Sequence, residues 1–195
     1  HQPRQRLATC RTTVGTGTQT CNGNGDGFVM EAPTTENHRY WQQLANAGLI
    51  EGTYVGVSGI WSGASVMITP QNTPSNKIPG VAWYTTSTLA TTGFANRGMF
   101  TGAYDNFYIV GKRVNANAWN YGPTFTPTEL WNIDKKMDDE KPAYGKVRSV
   151  LYYLDGTATP VYGCTSTTDY TVVSANYSLN TDAPICVMLL PQAYS

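Results

Sequence analysis

Charge is what this sequence has least of. Lysine and arginine together number 13, aspartate and glutamate also 13, and they cancel across 195 residues. A chain so poor in charge carries no basic field for a phosphate backbone, so nucleic acid is not expected as its main partner. Histidine is scarcer still, with only His1 and His38. His1 is terminal and His38 falls on the polar, solvated side of an expected helix. That leaves no base for a Ser-His-Asp set and too few nitrogens for a zinc centre. Ser62, in Trp61-Ser62-Gly63, follows Ile60 where a nucleophile elbow needs glycine, and no phosphate-binding loop is present. No apolar run approaches the roughly eighteen residues of a membrane span. Together these absences argue against an enzyme, and no residue is assigned to catalysis.

In place of charge the chain has hydroxyls and rings. Threonine outnumbers lysine and arginine combined, beside 19 glycines, 13 tyrosines and 5 tryptophans. This is the balance of a β-rich extracellular protein that dissolves through hydroxyls and amides. The four cysteines fit that compartment, because neither spacing suits a zinc knuckle and disulfides persist outside the cytosol. Three connectivities are possible, and the local one is expected, Cys10 with Cys21 and Cys164 with Cys186.

No composition break divides the chain, so residues 1–195 are expected to form a single domain. Residues 1–27 have neither helical nor strand period and read as a loop pinned by Cys10–Cys21. The loop ends in Asn22-Gly23-Asn24-Gly25-Asp26-Gly27, which matches the first half of a calcium loop, with side-chain oxygens of Asn22, Asn24 and Asp26 at alternate positions. Pro33 stands at the twelfth position, where a bidentate glutamate belongs, and a glycine-rich turn is the competing reading. Calcium there would be weakly held, and no cofactor is required.

Residues Glu36 to Ala47 predict a helix. Thr34 or Thr35 can cap it, Glu36 meets the positive end of the dipole, and Tyr40, Trp41, Leu44, Ala45 and Ala47 recur at helical spacing. Gly48 stops it, and Leu49 and Ile50 are placed to lie back over the apolar face. A second helix runs to Met137, with Thr126 as N-cap, Pro127 first, Glu129 completing a capping box, and Phe125 and Leu130 spaced as a hydrophobic staple. Leu130, Ile133 and Met137 form its expected buried stripe, while Asp134, Lys135, Asp138 and Asp139 face water. The acids oppose the dipole at that end, so a cation or Lys141 is expected nearby. Pro142 marks the stop.

Strands are expected over 81–88, 105–114, 146–154, 170–175 and 185–190, with one or two more between Gly52 and Ile68 and a hairpin turn at Asp155-Gly156. Pro70, Pro74 and Pro79 punctuate a surface loop. Ile185, Val187 and Leu189 alternate with Met188 and Leu190, so the last strand is apolar on both faces and belongs in mid-sheet. The expected class is α+β, an antiparallel sheet with two short helices and long loops. Helices of three turns are short for covering both faces, which leaves one face for an apolar helix from elsewhere.

Three stretches in order carry a family resemblance: Cys21-x-Gly23-x-Gly25-Asp26-Gly27; Trp41-Gln42-x-Leu44-x-x-Ala47-Gly48-Leu49-Ile50-x-Gly52-x-Tyr54; and Ile133-Asp134-x-Lys136-x-Asp138-Asp139 followed by Pro142, Gly145, Val147 and Arg148. In this arrangement, over residues 20–55 and 125–190, the chain resembles the prepilin-type proteins of bacteria, the subunits of type IV pili and of type II secretion pseudopili. The resemblance implies a pilin-like head domain with a disulfide-closed C-terminal loop, residues 164–186. It implies an extracellular filament or periplasmic location and other pilin subunits as partners. It also implies a long apolar N-terminal helix, expected either to have been cut from a soluble piece or to be supplied by a separate small chain. The chain departs from the family pattern at Glu140, where members usually have glycine after the Asp-Asp pair. A secreted carbohydrate-binding or adhesive module is the alternative, and an exposed row of Trp61, Trp83 and Trp119 would favour it.

Overall fold

A computed structural model of the chain describes residues 6–7, 20–21, 25–29, 36–57, 68–88, 98–102, 104–113, 122–150, 152–154 and 160–192. Its elements are β1 (Arg6–Leu7), β2 (Thr20–Cys21), α1 (Glu36–Asn46), β3 (Val81–Thr88), β4 (Asp105–Lys112), α2 (Pro127–Met137), β5 (Arg148–Ser149), β6 (Tyr152–Leu154), β7 (Pro160–Tyr162) and β8 (Met188–Pro191). The central sheet is four-stranded, ordered β3-β4-β8-β5, and every pairing in it is antiparallel. With the two helices this is an α+β fold. No helix among the described residues is long and apolar enough to cross a membrane.

The register explains why β8 reads as apolar throughout. Trp83, Val110, Met188 and Ser149 align across one face, and Tyr84, Ile109, Leu189 and Arg148 across the other. Because β8 sits between β4 and β5, each of its residues meets a layer of core. On the first face Val110 and Met188 pack with Phe125, Leu130, Val147, Tyr177 and the Cys164–Cys186 bridge. On the second, Tyr84, Ile109 and Leu189 pack with Met99, Tyr104 and Val150. Among the described residues the chain's own helix and loops pack the second face and much of the first, where Trp83, Tyr108 and Leu190 stay half-buried. Loops supply what short helices could not.

Other expectations also change. Residues 1–27 were expected to be loop, but β1 and β2 pair in parallel there. Residues 146–154 split into β5 and β6, with Val150 buried in the core between them. No strand forms over 170–175 or 52–57. The first of these is a series of turns, with Asp169 accepting from the Thr171 backbone N–H at 2.8 Å. β6 and β7 pair antiparallel with Leu154 opposite Pro160, while Asp155-Gly156 lies outside the described residues.

Helix α1 ends as its sequence dictates and buries a different face. Gly48 has φ of 73°. Its N–H donates to the Ala45 carbonyl at 2.9 Å, and the Leu49 N–H donates to that of Leu44 at 3.0 Å, a Schellman stop that only a left-handed residue closes. Leu49 does not fold back and is 71% exposed. The buried side chains of α1 are Trp41 and the polar Glu36, Asn37, His38, Arg39 and Gln42, while Ala47 is exposed. His38, expected in solvent, is buried.

This polar layer is held by irregular backbone. Asn37 Nδ2 donates to the Tyr84 hydroxyl at 3.0 Å, Arg39 Nη1 to Gln42 Oε1 at 2.8 Å, and Gln42 Nε2 to the Val55 carbonyl at 3.4 Å. Asn72 Nδ2 donates to the Val57 carbonyl at 3.0 Å and ties segments 51–57 and 68–72 together, and their backbone meets Gln42 at Val55 and His38 at Asn72. Gly56, at φ of 67°, lies so close to the Gln42 amide and the Arg39 side chain that no Cβ fits.

Candidate functional site

The most highly organised surface unit is α2 with the disulfide-closed loop docked on it. Helix α2 starts with the expected box. The Glu129 N–H donates to Thr126 Oγ1 at 3.1 Å and the Thr126 N–H to Glu129 Oε2 at 2.8 Å, with Pro127 at the first helical position. Phe125 and Leu130, the expected staple, lie in one buried cluster. Cys164 and Cys186 are joined, with Cα atoms 5.1 Å apart, which is the expected local pair. Cys10 and the Cys21 side chain lie outside the described residues.

The loop closed by that bridge is tied at several places. At its exit Cys186 pairs with Phe125, donating its N–H to the Phe125 carbonyl at 2.8 Å and accepting the Phe125 N–H at 3.1 Å. Within it, residues 164–166 run antiparallel to 176–178, the Ser178 N–H donating to the Cys164 carbonyl at 3.0 Å and the Ser166 N–H to that of Asn176 at 2.8 Å. Across to α2, the Tyr177 hydroxyl donates to Asp134 Oδ2 at 2.8 Å. Asp134 is thus fully buried, not solvated. Burial pushes its carboxyl up to about 6, against the pull of the Tyr177 hydroxyl. Tyr177 is in turn raised, first by burial and then by the Asp134 charge.

The acids after α2 build a loop. Asp134, Asp138 and Asp139 each place a carboxylate oxygen within 4.8 Å of the others. Asp138 accepts the Lys146 N–H, and Asp139 accepts that of Lys141 at 2.9 Å. Gly145, at φ of 78°, faces the Asp138 carboxylate where no Cβ could stand, so Asp138 and Gly145 form one device that returns the chain toward β5. Glu140, the departure from the family pattern, has φ of 66°, a backbone that glycine adopts freely. Its carboxylate is held by Trp131 Nε1 at 2.9 Å and lies 3.9 Å from Lys135 Nζ. Lys141 does not offset the acids as expected. Its Nζ donates to Asn176 Oδ1 at 2.7 Å and makes a further tie to the loop. Met137, expected in the buried stripe, is 52% exposed.

Of the candidate calcium ligands, Asn22 and Asn24 lie outside the described residues, and Asp26 Oδ1 accepts the Phe28 N–H at 2.8 Å in a local turn. Trp61 and Trp119 also lie outside them, while Trp83 is half-buried on β3. His38 is held down to about 4 by burial, which a hydrogen bond to the Asn72 backbone only partly offsets. Sequence reasoning missed Tyr177 and Asp134 as partners. A lone acid four residues before Asp138 gives no sign of burial until a loop brings a hydroxyl to it. Comparison with models of known protein families, with curated proteins and with solved structures finds no match for the chain.

Proposed function

We propose that this chain is the head domain of a structural subunit in an extracellular type IV pilus-like filament or a secretion pseudopilus, working by assembly and not by turnover. One observation carries the reading. The disulfide-closed loop is fastened to α2 and the sheet at several points, yet Tyr170, Val172 and Leu179 on it, with Met137 and Tyr144 beside α2, point large apolar side chains into solvent. A segment this constrained that leaves apolar surface wet is suited to packing against other protein. The resemblance in the Trp41–Tyr54 and Ile133–Arg148 stretches names the kind of partner, other subunits of the same filament. An apolar helix from elsewhere rests mainly on the resemblance, since the described loops and α2 already pack much of both sheet faces.

A photo-crosslinking residue in place of Val172 or Leu179, in the chain expressed by its own cells, tests this. A filament subunit gives a ladder of products spaced by one subunit mass. Exclusively monomeric product from both positions contradicts assembly through this loop.

A further inference from the structure

Between α1 and the β3–β4 face lies a cleft of about 500 Å³, within the range of small-ligand sites. Four of its walls are aromatic, Trp41, Tyr54, Trp83 and Tyr108, and Glu51 and Ser75 stand at its polar side. Trp83 and Tyr108 meet at 87° with centroids 6.2 Å apart, and Trp41 closes on Tyr108 at 5.9 Å. Rings set at right angles form adjacent walls of a box. Trp41 and Tyr54 are nearly buried, so the walls are fixed by packing, while Trp83 and Tyr108 remain partly open to the cleft.

We propose that this cleft binds a small quaternary ammonium cation. Its chemistry decides against a sugar. The Tyr54 hydroxyl is spent on the Glu51 carbonyl at 3.0 Å and the Tyr108 hydroxyl on that of Tyr40. Of the side-chain acceptors only the Glu51 carboxylate and the Ser75 hydroxyl remain, too few for the several donor hydroxyls of a pyranose. A quaternary ammonium has no donors to satisfy. It is weakly hydrated, it is drawn to the electron-rich faces of Trp and Tyr, and one carboxylate complements its charge. No lysine or arginine lines the cleft, and no described ion pair engages Glu51. A primary ammonium, strongly hydrated and with three protons to place, is served worse by the same walls. This inference stands apart from the filament reading.

Titration of the protein with choline, read by calorimetry and tryptophan fluorescence, tests it. The expected result is saturable binding at roughly millimolar Kd, as suits so few atoms. The neutral isostere 3,3-dimethylbutan-1-ol should bind at least about tenfold more weakly, because it fills the box without the charge. Glu51→Gln, on an exposed side chain, should weaken choline about three- to tenfold and leave the isostere unchanged. Trp83→Ala should abolish choline binding, and Trp83→Phe should retain part of it. Choline-headgroup vesicles should not sediment the protein, which places the ligand in solution and not in a membrane. The proposal is overturned by an absence of saturable choline binding, by equal binding of choline and its isostere, by tighter binding of methyl glucoside than of choline, or by retention on vesicles alone.

Discussion

The Tyr177 hydroxyl reaches across from the disulfide-closed loop to donate to Asp134 Oδ2 at 2.8 Å, joining two segments 43 residues apart inside the core. Tyr177→Phe removes the donor and leaves a buried carboxyl facing a ring edge. The expected loss is about 1–3 kcal/mol in urea unfolding, the cost of an unsatisfied buried acceptor. Asp134→Asn in the same background should recover part of it. A Tyr177→Phe protein as stable as the parent means the bond does not hold the loop.

Two buried groups act on acid stability in opposite senses. His38 is depressed from 6.5 to about 4, so its contribution is complete above pH 6.5 and is lost as pH falls toward 4, about 3 kcal/mol in all. Asp134 is raised from 3.8 to about 6, so its contribution is complete below pH 3.8 and is lost as pH rises through 6. Urea midpoints of His38→Asn taken between pH 7 and 4.5 should show less acid destabilisation than the parent. An NMR titration of His38 centred near 6.5 would place it in solvent and contradict its burial.

Loss of the Cys164–Cys186 bridge frees a ring of 22 residues of separation and should cost about 2–4 kcal/mol by loop-closure arguments. Nonreducing peptide mapping should recover Cys164 with Cys186 and is expected to find Cys10 with Cys21. Cross-pairing between the two halves refutes the local connectivity.

Glu140 occupies left-handed backbone while its carboxylate accepts from Trp131. In a Trp131→Phe background that bond is already gone and the exposed Lys135 pair contributes little, so Glu140→Gly should raise stability by about 1 kcal/mol, chiefly through relief of the backbone. A decrease there means that Glu140 contributes through some other contact.

Much of the frame was legible because its signals are local. The Thr126-Pro127-x-Glu129 box, the Gly48 stop and the β-forming run Val81–Thr88 each depend on neighbours in sequence, and each is found where it was read. The apolar character of β8 gave its central place, since a strand sandwiched between two layers cannot show a polar side. What failed depends on distant chain. Asn37, His38 and Gln42 look like a wet face until β3 brings the Tyr84 hydroxyl to Asn37, and segments 51–57 and 68–72 bring backbone to Gln42 and His38. Val172 and Val173 look like strand, but in the disulfide-closed loop that segment forms turns. The aromatic cleft combines residues from α1, the 50s, the 70s, β3 and β4, and no spacing in the sequence announces it.

Mass spectrometry of surface filaments sheared from cells that produce this chain tests its assembly most directly. A filament subunit predicts that the disulfide-linked peptide carrying Cys164 and Cys186 is recovered from the purified filaments in amounts comparable to their main component. Recovery of the chain only from the soluble medium or periplasm, with filaments lacking it, would contradict that role.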